Sequence, residues 1–388
     1  MPGVRWIAGL EKPSVRRSLS VLCGATLIIL VAYTTWRRAD LLARISADSN
    51  HVIDQEFTSA LCLHLHFQIS SRALQLVSQS APVKVVVIAE YRGGSSFMGE
   101  IFNQYGRAFY WFEPLAYHFQ EYLRAEGKDE HFVYQHRNGS FREANKDLQD
   151  KFQEIMYDIL SCNITHLDQH VMQHYFVRKW RKSVKLIPYQ KCLDDDVTEA
   201  RIRSCGTIPQ AYCETSQVRV IKTIRYLVGM SEILLAKDPS IKFINYVRDP
   251  RGTTKSIMDL EGKNVNETST NIRALCNRLY ANHMEYERLK VKYPDNFYEL
   301  RYEDLSASPK KEAADLYNFL GMELPRDIES WIRDNTNASN FKFGGLDTMN
   351  RNSAAISSRW HDGLTGDDLI LITKHCTKAL TAHHYTLE

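Results

Sequence analysis

The pattern of apolar and polar positions separates an N-terminal apolar segment from a long region in which strand-like and helix-like stretches alternate. Runs rich in β-branched and aromatic residues predict strands at Val83–Ala89, Phe109–Phe112, Arg219–Ile224, Ile241–Val247 and Phe297–Tyr302. Apolar residues at helical spacing predict helices at Ser95–Tyr105, Asn145–Leu160, Tyr226–Lys237, Thr253–Leu260, Thr270–Lys292 and Pro309–Leu320. Such alternation is typical of an α/β fold with a parallel sheet and helices on both faces. Val85–Ile88 is apolar without a break, which predicts a central, doubly buried strand.

The N-terminal apolar segment predicts a membrane anchor. No charged residue interrupts Ser18–Trp36, and a helix of about 20 apolar residues spans a bilayer. A cleaved signal peptide is the competing interpretation. We favour an uncleaved anchor because the run is long for a signal peptide and Trp36 followed by Arg37 forms an interfacial edge. The predicted regions are a cytoplasmic tail at 1–17, a transmembrane signal anchor at 18–36, a luminal stem at 37–81 and a luminal domain at 82–388.

Sequons and cysteines favour a luminal position for the large domain, since the basic residues on the two sides of the anchor nearly balance. Four N-x-[ST] sequons follow the anchor, at Asn138, Asn163, Asn266 and Asn337. The 8 cysteines form no C-x-x-C pair with histidine partners, so they predict disulfides in an oxidising compartment rather than a metal site. Cys192, Cys205 and Cys213 mark Lys185–Gln217 as a disulfide-tied insertion, and the pairing stays open.

Composition supports a globular domain and excludes few classes of function. The chain of 388 residues is 44% hydrophobic and 24% charged, as in ordinary globular proteins. Its net charge of +3 is too small to indicate a nucleic-acid partner. The stem region carries a helical apolar pattern, so a homodimer through the stem or the anchor is also possible on this pattern.

The first predicted strand ends in a loop suited to binding phosphate, Arg92-Gly93-Gly94-Ser95-Ser96-Phe97. Glycines let the backbone approach an anion closely. Serine hydroxyls can cap the following helix or donate to phosphate oxygens. The Walker A pattern is absent. For this motif alone, an ordinary strand–turn–helix junction is an equal alternative.

The fourth predicted strand leads into a second such loop, Arg248-Asp249-Pro250-Arg251, followed by Ser256. Pro250 suits the first position of a helix. Arg248 and Ser256 would then be placed to bind one phosphate, with a forked contact from the arginine. A surface Arg–Asp pair beside a helix start is the alternative. Two phosphate sites in one domain predict a ligand with two separated phosphate-type groups.

Together these motifs resemble the 5′-phosphosulfate and 3′-phosphate loops of sulfotransferases that use 3′-phosphoadenylyl sulfate (PAPS). The resemblance is closest to the Golgi carbohydrate 6-O-sulfotransferases of the keratan sulfate galactose and chondroitin type, and it extends from about Lys84 to Leu364. Further matching motifs are Gly99-Glu100-Ile101-Phe102-Asn103, Phe112-Glu113-Pro114, Lys222-Thr223-Ile224-Arg225 and Arg301-Tyr302-Glu303-Asp304-Leu305. The chain departs from the family pattern at Gly93, where a hydroxyl residue is usual, and at His361, where a basic residue usually follows the tryptophan.

The resemblance implies the PAPS-dependent sulfotransferase fold, a P-loop-like parallel sheet flanked by helices. It also implies transfer of a sulfuryl group from PAPS to the 6-OH of galactose, N-acetylgalactosamine or N-acetylglucosamine in a glycan or glycosaminoglycan acceptor. The implied location is the Golgi membrane, as a single-pass type II protein. The residues implied to bind the donor are Arg92, Gly93, Gly94, Ser95, Ser96, Phe97, Arg248 and Ser256. No metal is expected.

Catalysis needs positive charge at the leaving phosphate and a base for the attacking hydroxyl. By resemblance Arg92 supplies the charge, in an electrostatic role. We predict Glu113 as the base, because it closes the second strand near the first loop, and His118 as the reserve. A structural carboxylate in a tight turn is the alternative for Glu113. Arg225 is a candidate to bind phosphate or an acidic acceptor, and the Arg301–Leu305 segment is predicted to support the sheet.

Two other function classes compete with this interpretation. A kinase-like phosphotransferase would also use strand–loop–helix phosphate sites, but it needs a Walker lysine that is missing. A non-catalytic luminal protein that binds nucleotide or glycan would tolerate the loss of Arg92 or Ser95, and both are present.

Overall fold

The computed structural model of the chain describes residues 81–125, 144–180, 182–194, 196–337 and 352–387. The predicted tail, the predicted anchor and the sequon at Asn138 lie outside these ranges, as does the predicted stem up to residue 80. Within the described ranges, no helix combines the length and the apolar character needed to cross a membrane.

Five parallel strands form one sheet with the order β2-β3-β1-β4-β5. Their bounds are β1 Val83–Ala89, β2 Ala108–Phe112, β3 Val218–Thr223, β4 Ile241–Val247 and β5 Phe297–Arg301. The predicted strands are therefore confirmed, and no end differs by more than one residue. The central strand β1 has Val85, Val86 and Val87 fully buried, as its uninterrupted apolar run predicts.

Helices flank the sheet and connect its strands. Those in the first half are α1 Ser95–Asn103, α2 Ala116–Ala125, α3 Lys146–Leu160, α4 Gln169–Gln173, α5 Tyr175–Arg178, α6 Ile187–Leu193, α7 Glu199–Glu214 and α8 Ser231–Lys237. Those in the second half are α9 Pro250–Glu261, α10 Ser269–Lys292, α11 Tyr302–Ala307, α12 Pro309–Phe319, α13 Arg326–Thr336, α14 Ser353–Ser358, α15 Trp360–Gly363 and α16 Gly366–Ala382.

The predicted helix Tyr226–Lys237 is shorter in the structure, where α8 covers only its second half. Leu227 has an extended backbone, and a 3₁₀ turn at Val228–Met230 precedes α8. Tertiary hydrogen bonds hold this entry segment: the Tyr226 hydroxyl bonds with Gln153, and the Val228 N–H donates to Asn282. Such long-range bonds override a local helical pattern.

The insertion at Lys185–Gln217 contains two helices, α6 and α7, that the apolar pattern did not predict. Gly206 and Pro209 lie inside α7 and weaken its helical signal. Cys192–Cys205 joins the two helices, and Cys162–Cys213 joins α7 to the end of α3. The predicted disulfide-tied insertion is confirmed, and the structure supplies the pairing.

The sheet separates two apolar cores. On one face Val86 packs in a cluster that includes Phe152 of α3. On the other face Val87 packs with Phe102 of α1 and Leu316 of α12. Because both faces are covered by helices, the carboxyl-end edge of the strands is the part of the sheet left to bind a ligand.

Candidate active site

The loops after β1 and β4 lie side by side because these two strands are neighbours. Near their carboxyl ends Ile88 pairs with Asn245, and Ala89 pairs with Tyr246. In open α/β sheets, ligands bind outside the carboxyl ends of the strands. The sheet thus brings the two predicted phosphate loops to one edge, although they are far apart in sequence.

The loop after β1 has a backbone conformation that ordinary side chains avoid. Arg92 has a φ of 58° and Gly94 a φ of 78°. A Cβ atom at Gly94 would lie 2.4 Å from a ring carbon of Tyr302, and one at Gly93 would lie 2.9 Å from the Glu90 carbonyl oxygen. The loop therefore requires small residues at both positions, and Gly93 fits it although the family pattern has a hydroxyl residue there.

Helix α1 begins without a side-chain cap. Its N-cap is Gly94, so the capping role expected of Ser95 or Ser96 was wrong. The N–H of Phe97 donates to the Gly94 carbonyl at 3.0 Å, and the Phe97 ring is buried near Trp331. The first-turn N–H groups of Ser95 and Ser96 have no acceptor within the helix. A helix start of this kind suits an anion.

The loop after β4 starts helix α9 through Asp249. The Asp249 side chain accepts from the Arg251 N–H at 2.8 Å and pairs with the Arg251 guanidinium at 2.7 Å. The alternative considered from the sequence was a surface Arg–Asp pair, whereas the pair between Arg251 and Asp249 is buried. The Arg251 guanidinium also lies 4.5 Å from the ring centre of Trp360, and that of Arg248 lies 4.3 Å from the ring centre of Tyr302.

Two hydrogen bonds join the loops directly. Arg248 Nη1 donates to the Arg92 carbonyl oxygen at 2.9 Å, and Arg92 Nε donates to Ser256 Oγ at 3.0 Å. The structure therefore brings together Arg92, Arg248 and Ser256, three of the residues predicted to bind the donor. Two permanently charged guanidinium groups meet at this edge of the sheet.

Two buried donors at this edge fit an anionic ligand. Arg248 Nε and Thr254 Oγ1 are buried, and within the described residues neither atom has a hydrogen-bond partner. The whole side chain of Arg248 is only 9% exposed. An unpaired buried donor is costly, and one beside a guanidinium group is well suited to a phosphate oxygen.

Glu113 follows β2 and occupies the centre of a buried ion-pair network. Its backbone φ is 52° and the residue is 2% exposed. Lys222 Nζ donates to Glu113 Oε1 at 2.7 Å, and the Ile224 N–H donates to the same oxygen at 3.1 Å. Arg225 Nη1 donates to Glu113 Oε2 at 2.5 Å. One carboxylate thus links the end of β2 to the end of β3.

The charges around Glu113 determine its protonation. Burial alone would raise the pKa of Glu113, but Lys222 and Arg225 together hold that pKa below its usual value. Burial lowers the pKa of Lys222, although Glu113 partly offsets this effect. Glu113 is consequently ionised at neutral pH, which a general base requires. Its low pKa and its full set of partners make it a weak base in this state.

His118 and His174 occupy different positions around this network. His118 Nε2 lies 3.5 Å from an Asp168 carboxylate oxygen, and burial lowers the pKa of His118 although Asp168 opposes the shift. His174 lies close enough to the network that burial and then the charge of Arg225 lower its pKa to about 4. The sequence carried no signal for His174, because a single histidine in a polar stretch belongs to no motif.

Tyr302 and Trp360 are further residues whose role the sequence did not reveal. The Tyr302 ring lies between Gly94 and Arg248. Glu303, the next residue, accepts from the Asp249 N–H at 3.1 Å. The structure thus agrees with a supporting role for the Arg301–Leu305 segment. Trp360 contacts α9 closely, since a Cβ atom at Gly252 would lie 3.0 Å from its ring.

Comparison with known proteins identifies the family. A family model described as the sulfotransferase family matches residues 82–326, which include both loops and Glu113. The chain belongs to the sulfotransferase family. It is a sulfotransferase enzyme, and the family match gives no support to the kinase-like alternative. The predicted sulfotransferase fold, a parallel sheet flanked by helices, is likewise confirmed.

Curated relatives of this sulfotransferase confirm the resemblance to carbohydrate sulfotransferases. Human carbohydrate sulfotransferase 1 is 26% identical over 348 residues, covering 79% of this chain and 80% of the relative. Human carbohydrate sulfotransferase 3 is 27% identical, covering 78% of this chain and 67% of the relative. Mouse carbohydrate sulfotransferase 4 is 22% identical, covering 82% of this chain and 86% of the relative.

The solved structures similar to this chain include proteins that are themselves described as sulfotransferases. The sulfotransferase domain from the Synechococcus PCC 7002 olefin synthase has a TM-score of 0.36 at 15% identity, covering 76% of this chain and 94% of the other. Mouse sulfotransferase SULT7A1 complexed with PAP has a TM-score of 0.38 at 11% identity, covering 77% of this chain and 84% of the other.

Proposed function

We propose that this sulfotransferase uses PAPS as its donor and a sugar hydroxyl as its acceptor, and releases PAP. The direct contact between the two loops supports this proposal most strongly, since Arg248 bonds to Arg92 and Arg92 to Ser256. PAPS carries a 5′-phosphosulfate and a separate 3′-phosphate. A site with two adjoining anion-binding loops fits a ligand of this kind.

The donor, when bound, supplies a sulfuryl group attached to a phosphate that becomes more negative as the group leaves. Arg92 keeps its positive charge at any physiological pH, so it stabilises that developing charge. The N–H groups of Ser95 and Ser96 at the start of α1 add to this stabilisation. Gly93 and Gly94 allow the backbone to come close to the phosphate.

The 3′-phosphate is held, in this proposal, by the loop after β4. Arg248 offers Nε and Thr254 offers a buried hydroxyl. Within the described residues, neither atom has a hydrogen-bond partner. Ser256 lies beside Arg92 and adds a further hydroxyl. The packing of Arg248 against Tyr302 fixes the direction of the guanidinium.

Glu113 remains our proposal for the general base, with His118 as the reserve. The strained backbone at Glu113 and Arg92 supports a functional role, because residues with such φ values cluster at active sites. His174 is a further candidate, since it is near Glu113 and Arg225 and is neutral at physiological pH. A neutral imidazole can accept a proton.

We propose that the acceptor is the 6-OH of galactose, N-acetylgalactosamine or N-acetylglucosamine in a glycan or glycosaminoglycan. The relatives are named carbohydrate sulfotransferases. Aromatic rings beside the Glu113 network add support, because sugars bind well to aromatic faces. The Phe176 ring centre lies 5.9 Å from the Arg225 guanidinium and 6.2 Å from the ring of Tyr175, which is 58% exposed.

We also propose that the protein is a single-pass type II protein of the Golgi membrane, with its catalytic domain in the lumen and a possible homodimer contact in the stem or anchor. The uncharged segment at Ser18–Trp36 supports this location. The disulfides support an oxidising compartment. The asparagines of three sequons, Asn163, Asn266 and Asn337, are exposed, as glycosylation requires.

The first test is transfer of radiolabelled sulfate from PAPS by the unit Ala81–Glu388, which is compact by itself. Keratan, chondroitin and N-acetylglucosamine-terminated acceptors are offered in parallel. We expect Arg92→Ala to lower kcat by about 100-fold or more. We expect Arg248→Ala to raise the KM for PAPS about tenfold or more, because it removes a charged hydrogen bond. Arg333→Ala is the control, since Arg333 is on the surface, where it pairs with its neighbour Asp334.

Full activity in Arg92→Ala would contradict the assignment of the first loop. An unchanged KM for PAPS in Arg248→Ala would contradict the assignment of the second. If none of the acceptors is labelled, calorimetry with PAP separates two cases: binding means that the acceptor is a different sugar, and the absence of binding means that PAPS is not the donor.

A further inference from the structure

Three side chains that could bind a metal converge on one point between α10, β5 and the segment after α16. His283 lies on α10, Glu299 on β5, and His383 directly follows α16. One ligand atom from each residue lies within 4.8 Å of the others. These residues are spread from position 283 to position 383, so no short sequence motif could reveal them.

The hydrogen bonds of this cluster leave part of it unsatisfied. His383 is 1% exposed, and its Nδ1 lies 3.2 Å from Glu299 Oε1. Its other ring nitrogen, Nε2, is buried and has no hydrogen-bond partner within the described residues. Nδ1 of His283 is buried and unpartnered in the same way. The contact between His383 and Glu299 therefore leaves one buried ring nitrogen of each histidine without a partner among the described residues.

The surroundings hold the three side chains in place. Asn245 on the neighbouring strand donates to Glu299 Oε2 at 2.7 Å and so orients the carboxylate. The imidazole rings of His283 and His383 lie 4.9 Å apart at 79°. The disulfide Cys276–Cys376 joins α10 to α16, the two helices that carry or precede the histidines. Contacts that orient the ligand side chains in this way are typical of metal sites.

We propose that His283, Glu299 and His383 form a binding site for one Zn²⁺ ion, independent of sulfuryl transfer. Two imidazoles and one carboxylate are a donor set that Zn²⁺ favours, with water as the remaining ligand. Ligand atoms around a tetrahedral Zn²⁺ are about 3.3 Å apart. His383 Nδ1 and Glu299 Oε1, 3.2 Å apart, already have this spacing. The ligand atom of His283 lies within 4.8 Å of both, so it moves inward by about 1.5 Å at most when zinc binds.

Zinc at this site would connect the segment after α16 to elements that contact the loop after β4. Two residues after His383, the Tyr385 hydroxyl donates to Glu303 Oε2 at 2.7 Å. Glu303 in turn accepts from the N–H of Asp249, which begins α9. The site therefore ties α10 and β5 to the segment that supports the start of α9.

The test uses the full-length protein, purified without a polyhistidine tag and treated with a chelator. Zinc binding is measured by equilibrium dialysis with metal analysis, and Tm is measured with and without Zn²⁺. We expect one zinc ion per chain at this site and a rise in Tm of about 4 °C at a hundredfold excess over Kd. Mg²⁺ should have no such effect, because it does not favour imidazole ligands.

His283→Gln and Glu299→Gln should each weaken zinc binding by at least about tenfold and reduce the rise in Tm at the same zinc concentration to about half or less. His375→Gln, on α16 but outside the cluster, should behave like the unmodified protein. The partly exposed His283 and Glu299 are the variants of choice, since a substitution at the buried His383 could prevent folding. Absence of bound zinc, or equal binding by His283→Gln and the unmodified protein, would overturn the proposal.

Discussion

The carboxylate of Glu113 accepts hydrogen bonds from Lys222, from Arg225 and from the N–H of Ile224, in a position where only 2% of the residue is exposed. Two buried cations thus share one buried anion. Removing one member of such a network leaves uncompensated charge in the interior, which is more costly than the pair is stabilising. This residue therefore has both a structural and a proposed catalytic role.

We predict that Glu113→Gln lowers the free energy of unfolding by about 3–5 kcal/mol, because Lys222 and Arg225 lose their counter-ion. Chemical denaturation measures this loss. Glu329→Gln is the control, since Glu329 pairs with Lys310 on the surface, where ion pairs contribute little. Catalysis is measured under conditions where the variant is folded. A full kcat for Glu113→Gln would show that the base is another residue, and unchanged stability would contradict the role of the network.

The loop between β1 and α1 shows how one element boundary positions the chemistry. Gly94 combines a φ of 78° with close packing against the Tyr302 ring, and Arg92 beside it has a φ of 58°. The Tyr302 ring in turn packs on Arg248. A side chain at position 94 would consequently disturb both loops at once.

We predict that Gly94→Ala weakens PAP binding by at least about tenfold, since the new methyl group meets the Tyr302 ring and strains the backbone. Calorimetry with PAP measures the effect. Gly262→Ala is a matched control: Gly262 has a φ of 66°, but a Cβ atom there meets nothing within 4 Å. We expect Gly262→Ala to lose about 1 kcal/mol of stability with PAP affinity intact. Equal affinities for PAP in the two variants would contradict the packing argument.

At the level of elements, the strands were easier to predict than the helices. β1 and β4 are short apolar runs bounded by polar loops, and their predicted and observed limits agree. Helices α6 and α7 were missed because Gly206 and Pro209 interrupt the apolar period and disulfides replace part of the packing. The helix α8 was predicted too long because tertiary hydrogen bonds hold its entry in another conformation.

Across the whole molecule, burial keeps several histidines neutral. Burial is the main cause that lowers the pKa of His118, of His375 and of His174, the last to about 4. In the unfolded chain these side chains take up protons as the pH falls through about 6.5. The unfolded state then binds more protons than the folded state, so stability falls as the pH drops from about 6.5 towards 4.

We predict that replacing His174 reduces this pH dependence. Between pH 7 and pH 5 the Tm of His174→Asn should fall by roughly 2 °C less than that of the unmodified protein. Asparagine keeps the capping contact that His174 makes with the N–H of Phe176, so the comparison isolates the imidazole. His166→Asn, at an exposed position, is the control. Calorimetric scans at both pH values measure these Tm changes. If Tm falls equally in all three proteins, the pKa of His174 does not change on folding.

The sequence by itself determined the five strands, the two loops that we propose bind phosphate, and the family, because each depends on residues that are close together along the chain. The α/β class followed from the order of these short patterns. The tertiary structure alone decided which loops adjoin, since β1 and β4 become neighbours only in the folded sheet. It also decided the disulfide pairs, the partners of Glu113 and the cluster of His283, Glu299 and His383. These contacts join distant positions through strand order and helix packing, and no local pattern of residues specifies which distant positions come into contact.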